Sequence, residues 1–329
     1  MNYFGGKSIL LFAPSFFGYE KDITNKLVEM GAVVDFFDER PSNSSVYKAA
    51  LRLNAKSMYL PVKSYYSKII SQLSNKVYDY VFVVNAEAMT TEIVNHLRSG
   101  FKNAKFVLYM WDSVRNKKNT VSLIRHFDNV YSFDRFDADS MKDVCFKPLF
   151  YTDDYTPCNA SIKYDLVFAG TAHADRFMIV EKVKAFARNN NLSFNAFLYL
   201  HSPLLYYYQK YSDQSFRHTA SIKDFSFKKK SKKQLIEIMR TGKAVLDIQH
   251  PKQTGLTMRT FEMMALQKKL ITTNQDIVNY DFYKPENIFI INRENPYIEP
   301  AFFETEYMPL KAEVVCQYSI EAWLKALLN

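Results

Sequence analysis

The chain has 329 residues, enough for two domains of ~150 residues each. Only eight are glycine, against 27 Phe and 23 Tyr, and 48% are hydrophobic, so a large core can form and disordered, collagen-like and low-complexity architectures are excluded. A net charge of +9 suits an anionic partner without choosing among nucleic acid, a membrane face and a phosphorylated small molecule.

The apolar run 8–13 is too short for the core of a signal peptide and reads as a first strand. Residues 20–30 follow as a helix, with Ile23, Leu27 and Met30 at helical spacing and Gly31 as its stop. A second strand is expected over 32–37 and helix over 46–74, broken at Pro61. Residues 80–84 read as a strand buried on both faces, 91–97 as a helix, and 106–111 and 129–133 as further strands. Between 148 and 163, Pro148, Asp153, Asp154, Pro157 and Asn159 interrupt the periodicity and mark a boundary. The alternation then restarts, with strands at 164–169, 194–200, 244–248 and 270–273 and helices at 178–188, 232–240 and 256–266. An amphipathic helix over 320–328 closes the chain. Strand–helix alternation in two successive halves implies two doubly wound α/β domains, which bind ligands beyond the carboxyl ends of their strands.

The longest unbroken apolar run, 106–111, has six residues where a membrane-spanning helix needs ~20, which points to a cytoplasmic protein. Cys145, Cys158 and Cys316 are odd in number and scattered, as expected of reduced thiols and not of disulfides or a structural zinc site.

The most informative stretch is 244–274. Its strand delivers Gln249, His250 and Lys252 to a sheet edge, and a loop with Thr254 and Gly255 leads into a helix whose free N–H groups offer a seat for phosphate. Arg259 and Glu262 share one face of that helix. A cation for a diphosphate and a carboxylate for ribose hydroxyls is the chemistry a nucleotide requires. The competing reading is an exposed ion pair between them, and for His250 a capping or packing role.

Arg259-Thr260-Phe261-Glu262-Met263-Met264-Ala265, followed by a strand, resembles the R-x-F-E-x-x-A motif of bacterial GT-B glycosyltransferases from surface-polysaccharide clusters and the CgeB-like group. Residues 164–170 with Arg176 are similar to the first strand and phosphate loop of the same domain. The resemblance implies a GT-B fold: an acceptor domain over 1–155 and a donor domain over 156–310, facing a cleft. A helix within 311–329 would return to the first domain through Trp323, Leu324 and Leu327. It further implies a nucleotide-sugar donor with Glu262 on the ribose and Arg259 on the diphosphate, and a glycan or lipid-linked acceptor. The setting would be lipopolysaccharide, capsule or related glycan assembly at the inner face of the cytoplasmic membrane. Gly170, Arg176, His250, Lys252, Thr254 and Gly255 complete the expected donor site. The family usually has glycine five residues after the glutamate, where this chain has Gln267, so the turn leaving the helix is expected to differ.

Glu87 and Asp112 each follow a buried strand and are the candidate bases, although either could instead hold a loop or cap a helix. Residues 15–19 form a candidate acceptor-side loop. Asp137-Ala138-Asp139 fits a metal-binding DxD pattern but reads as the acidic start of a helix, so no metal or other cofactor is expected. Lys228, Lys229, Lys230, Lys232 and Lys233 open a helix through a Ser231–Gln234 capping box. They form either a solvated surface or a contact with an anionic membrane or lipid diphosphate. No nucleic-acid motif is present, and nucleic acid is not an expected partner. Tyr199, Tyr206, Tyr207, Tyr208 and Tyr211 suggest a packed helix face. Gly18, Gly170 and Gly255 are the glycines expected to let backbone approach a ligand. The alternative to an enzyme is a non-catalytic protein that keeps the fold and binds glycans or partner enzymes.

Overall fold

The computed structural model describes residues 2–44, 47, 58–114, 118–158, 160–172 and 175–329. Part of the helix expected over 46–74 and Asn159 of the expected break lie outside them. The chain divides into two compact units, Met1–Leu149 with Ile320–Asn329, and Phe150–Ser319.

The first unit contains β1 (Ser8–Ala13), α1 (Tyr19–Glu29), β2 (Val33–Asp38), α2 (Tyr59–Gln72), β3 (Tyr80–Val84), α3 (Thr91–Gly100), β4 (Lys105–Met110), β5 (Asn129–Ser132), α4 (Arg135–Ser140) and β6 (Cys145–Phe146). All six strands are parallel in the order β2-β1-β3-β4-β5-β6. Strands β1, β3 and β4 are nearly continuous apolar runs because helices cover both faces of a parallel sheet. Pro61 does not break a helix: it lies in the first turn of α2, where its missing N–H has no intrahelical partner to lose. The terminal helix α10 (Ile320–Leu327) buries Trp323, whose ring meets Tyr109 at 4.7 Å and Phe82 at 5.8 Å in this unit.

The second unit contains β7 (Tyr164–Thr171), α5 (Arg176–Asn189), β8 (Phe194–Tyr199), α6 (Pro203–Ser212), α7 (Gln214–Thr219), β9 (Phe225–Ser226), α8 (Lys232–Arg240), β10 (Gly242–Asp247), α9 (Met258–Ala265), β11 (Lys269–Thr272) and β12 (Ile288–Ile290). Its sheet is also wholly parallel, ordered β12-β11-β10-β7-β8-β9. In each sheet the chain builds outward on one side and then crosses to the other, at β1/β3 and at β7/β10. These topological switch points are where doubly wound sheets open a crevice for ligand.

Candidate functional site

At the β7/β10 switch point of the second unit, three arginines fasten on the same short stretches of backbone. Arg176, the first residue of α5, donates from Nε (3.0 Å) and Nη2 (2.6 Å) to the Ile248 carbonyl and from Nη1 to the Thr171 carbonyl (3.2 Å), lacing the ends of β10 and β7 together. Arg259 donates to the Ala169 carbonyl at 3.1 Å and to Glu262 Oε2 at 3.2 Å. Arg293 donates to the Gln249 carbonyl (3.1 Å), to Thr273 Oγ1 (3.0 Å) and with two nitrogens to Asp175 (2.8 and 3.0 Å). Burial, together with the Arg259 and Arg293 charges, pushes the Arg176 guanidinium below its ordinary range, while Asp247 and Asp175 oppose the shift.

Asp247 ends β10 beside these arginines. It is buried, and its Oδ2 accepts from Thr257 Oγ1 at 2.7 Å and Thr260 Oγ1 at 3.3 Å. Burial raises its pKa against the pull of those hydroxyls and of Arg259 and Arg176. Because the Thr257 hydroxyl is turned to Asp247, the N-cap of α9 makes no side-chain hydrogen bond to the helix. The start of α9 keeps its share of the helix dipole, beside Arg259.

The Arg259–Glu262 pair is not an exposed surface pair: the two side chains are 18% and 2% exposed. The Tyr155 hydroxyl also hydrogen-bonds Glu262, and burial followed by the Glu262 charge drives its pKa far up. The loop before α9 is tied down as well. Asn274 Nδ2 donates to the Thr254 and Gly255 carbonyls at 2.9 and 3.2 Å, and Gln253 Nε2 donates to Gly255 at 2.8 Å. His250 Nδ1 accepts from the Lys252 backbone N–H at 3.3 Å, while the Lys252 side chain is exposed.

Two expectations are corrected here. Gly170 is not in a phosphate loop: it pairs with Leu198 inside β7, and a Cβ there would meet the Phe168 ring at 2.8 Å. The missing side chain makes room for core packing, not for a ligand. Nor does Gln267 change the turn leaving α9. It takes φ +53, the left-handed conformation a glycine would adopt. Its N–H reaches the Met264 carbonyl and that of Lys268 the Met263 carbonyl, a Schellman closure.

At the β1/β3 switch point of the first unit the chemistry is acidic. Glu87, after β3, pairs with Arg40 at 3.3 Å, and both are largely buried. Glu39 is completely buried; its Oε1 accepts from the backbone N–H groups of Ala88 and Met89. Among the described residues its Oε2 has no hydrogen-bond partner. Burial raises the Glu39 pKa to about 8, the two N–H groups opposing and the Glu87 charge adding to the shift. Asp112 sits half-buried just after β4. Loop 15–18 is held by Asp38, accepting from Ser15 N–H at 2.9 Å, and by Glu20, accepting from Phe16 N–H at 3.1 Å. It presents exposed Phe16 and Phe17, with Phe16 6.2 Å from Trp111. Phe17 (φ +52) and Asn85 (φ +56) are non-glycine residues in the left-handed region at the strand ends, and Gly18 (φ +88) follows Phe17.

Other candidates are absorbed by structure. Asp137 is buried and accepts from Val114 N–H (2.9 Å), Ser132 Oγ (3.0 Å) and Ser113 Oγ (3.3 Å), so it fastens loops at the ends of β4 and β5. The Ser231–Gln234 capping box opens α8 as expected. Lys232, however, does not face solvent alone: it pairs with Asp154 at 2.5 Å and donates to Thr152 Oγ1 at 2.7 Å. Of the helix tyrosines only Tyr206 is packed; Tyr207, Tyr208 and Tyr211 are exposed. The three cysteines are free and exposed. Among the described residues no helix is long and apolar enough to cross a membrane.

No family model matches the chain, and no curated protein matches it in sequence. Solved structures do. Anabaena HepE in complex with UDP and glucose superposes with a TM-score of 0.61 at 11% identity, covering 97% of both chains. OtsA in its apo form gives 0.61 at 10%, covering 98% of each. The catalytic domain of Arabidopsis thaliana starch synthase IV bound to ADP and acarbose gives 0.52 at 8%, covering 98% of this chain and 94% of that one. The fold is GT-B.

Residue-by-residue reading missed Asp247, Arg293, Tyr155, Glu39 and Arg40. Asp247 and Arg293 had a usable signal, since each closes or follows an apolar run, as Glu87 and Asp112 do. Tyr155 had none: it lies in the irregular stretch that reads only as a boundary, about a hundred residues from its partner Glu262 in sequence.

Proposed function

We propose that the chain is a glycosyltransferase that moves a sugar from a nucleotide-sugar donor to a glycan or lipid-linked acceptor in surface-polysaccharide assembly. The observation that carries this reading is the convergence of Arg176, Arg259 and Arg293 at the β7/β10 switch point, next to the uncapped start of α9. Anionic diphosphate is the ligand such a cluster suits. Two solved GT-B structures that superpose here carry a nucleoside diphosphate, UDP in HepE and ADP in starch synthase IV.

In the transfer the acceptor oxygen bonds the anomeric carbon as the bond from that carbon to the diphosphate oxygen breaks. The diphosphate departs with its electron pair and its charge is balanced by Arg259 and the α9 N-terminus. Glu87 or Asp112 is assigned to take the acceptor proton. Glu262, already oriented by Arg259 and Tyr155, is assigned to the ribose hydroxyls. Phe16 and Phe17 supply a platform on which a sugar ring can stack.

The test is titration calorimetry with UDP, ADP and GDP, followed by product analysis with a panel of nucleotide sugars. One nucleotide is expected to bind and its sugar to be transferred or hydrolysed. Glu262→Ala should abolish turnover and weaken nucleotide binding by about tenfold or more. Absence of binding by any nucleotide at millimolar concentration overturns the reading. Nucleotide binding with turnover unaffected by both Glu87→Gln and Asp112→Asn overturns the assignment of the base.

A further inference from the structure

Helix α6 is built inside out. Leu204, Tyr207, Tyr208 and Tyr211 recur at i, i+3, i+4 and i+7, the spacing of a buried stripe, yet they are 78%, 60%, 66% and 83% exposed. Gln209 and Lys210 are half-buried instead, together with Leu205. Leu205 and Tyr206 hold the helix on the core of the second unit. Tyr206 is buried, donates to the Ala220 carbonyl at 3.1 Å, and packs against Phe216 of α7 and Phe225 of β9, each 5.8 Å away. That anchor fixes α6 over β9, the edge strand, so its outward face lies on the same sheet edge from which the lysine run emerges three residues after Phe225.

The surrounding charge is one-sided. Residues 203–233 hold eight Lys and Arg against two Asp, with Lys232 further offset by Asp154 at 2.5 Å. Both acids are occupied within the backbone: Asp213 accepts from Phe216 N–H at 3.1 Å and Asp224 from Ser221 N–H at 2.7 Å. Lys228 and Lys229 are exposed.

We propose that this face of the second unit, the aromatic stripe of α6 with Lys228 and Lys229, docks on the surface of an anionic lipid bilayer. Tyrosines with a wet end and an apolar body settle at the headgroup level, and lysines beside them gain from the negative surface potential. Charge selects this occupant over a second copy of the chain, which would set the exposed Lys228 and Lys229 against their own copies. A neutral glycan would use the aromatic rings but gain nothing from the uncompensated cations. The inference does not rest on the donor-site reading, because bilayer binding is measured without nucleotide.

The experiment is co-sedimentation of the full chain with vesicles of phosphatidylcholine alone and of phosphatidylcholine mixed with phosphatidylglycerol, at low and raised salt. Binding is expected only to the anionic vesicles and should weaken as salt rises. Replacing Lys228, Lys229 and Lys230 by Gln should lower binding about a hundredfold, near fivefold per lysine. Replacing Tyr207, Tyr208 and Tyr211 by Ser should lower it about tenfold or more, with thermal melting and nucleotide affinity unchanged. No binding to anionic vesicles overturns the proposal, as does binding that survives the tyrosine substitutions. Self-association in solution that the same substitutions abolish, without vesicle binding, also overturns it and assigns the face to a second copy.

Discussion

The two switch points share one topology and carry opposite chemistry. At β1/β3 a completely buried Glu39 and the Glu87 carboxylate face one guanidinium, Arg40. At β7/β10 three guanidinia meet three carboxylates, Asp175, Asp247 and Glu262. A doubly wound sheet opens a crevice at each switch point, but what that crevice attracts is set by side chains beyond the strand ends. The second balances its carboxylates with guanidinia, whereas burial at the first holds a proton on Glu39.

The strongest test of this contrast is Arg259→Ala. Removing the guanidinium takes the Arg259 charge away from the buried Glu262, which should destabilise the second unit by about 3 kcal/mol and reduce nucleotide affinity at least tenfold. Chemical denaturation and calorimetry read the two effects. Unchanged affinity would place the nucleotide elsewhere.

Next comes Glu39→Gln at the other edge. Glu39 titrates at about 8 in the folded chain against 4.5 for an unperturbed glutamate, so between those values the folded state holds a proton that the unfolded state has released. Its contribution to stability is complete below about pH 4.5 and declines as pH rises towards 8, by up to ~1.4 kcal/mol per pH unit. The glutamine cannot ionise and keeps an oxygen for the Ala88 and Met89 N–H groups. The variant's melting temperature should therefore lose this dependence and overtake that of the parent at pH 8 and above. Parallel melting profiles for the two proteins would refute the buried proton.

The smallest effect compares two helix ends. α1 and α9 finish with the same pair of backbone bonds, Gly31 to Val28 with Ala32 to Leu27, and Gln267 to Met264 with Lys268 to Met263. The left-handed residue is Gly31 (φ +97) in one and Gln267 (φ +53) in the other. Gln267→Gly should raise stability by up to ~1 kcal/mol, seen as a higher melting temperature with unaltered nucleotide binding. A loss of stability would show that the glutamine side chain makes up for its strained backbone.

Much of the architecture could be read from local pattern. The central strands announce themselves because a parallel strand covered on both faces must be apolar throughout, as in residues 80–84 and 106–110. Helix α8 was legible to the residue, since a capping box defines its start. The edge strands β6, β9 and β12 were not. They are two or three residues long, carry no period of their own, and exist only through pairing with β5, β8 and β11.

The candidate site divides along the same line. Arg259 and Glu262 stand one helical turn apart, so their partnership follows from sequence spacing. Their burial does not, because it depends on Tyr155, Ala169 and Glu262 meeting from three separate segments. The same holds for Arg293 and Asp175, which are 118 residues apart and become neighbours only once β12 is paired onto the sheet. Periodicity placed Leu204, Tyr207, Tyr208 and Tyr211 on one face of α6. Which way that face points was decided by Leu205 and Tyr206, which the core and the aromatic cluster over β9 accommodate. Local sequence sets elements and the faces they carry, through forces that act within a few residues. Long-range packing decides which face meets the core and which charges meet one another.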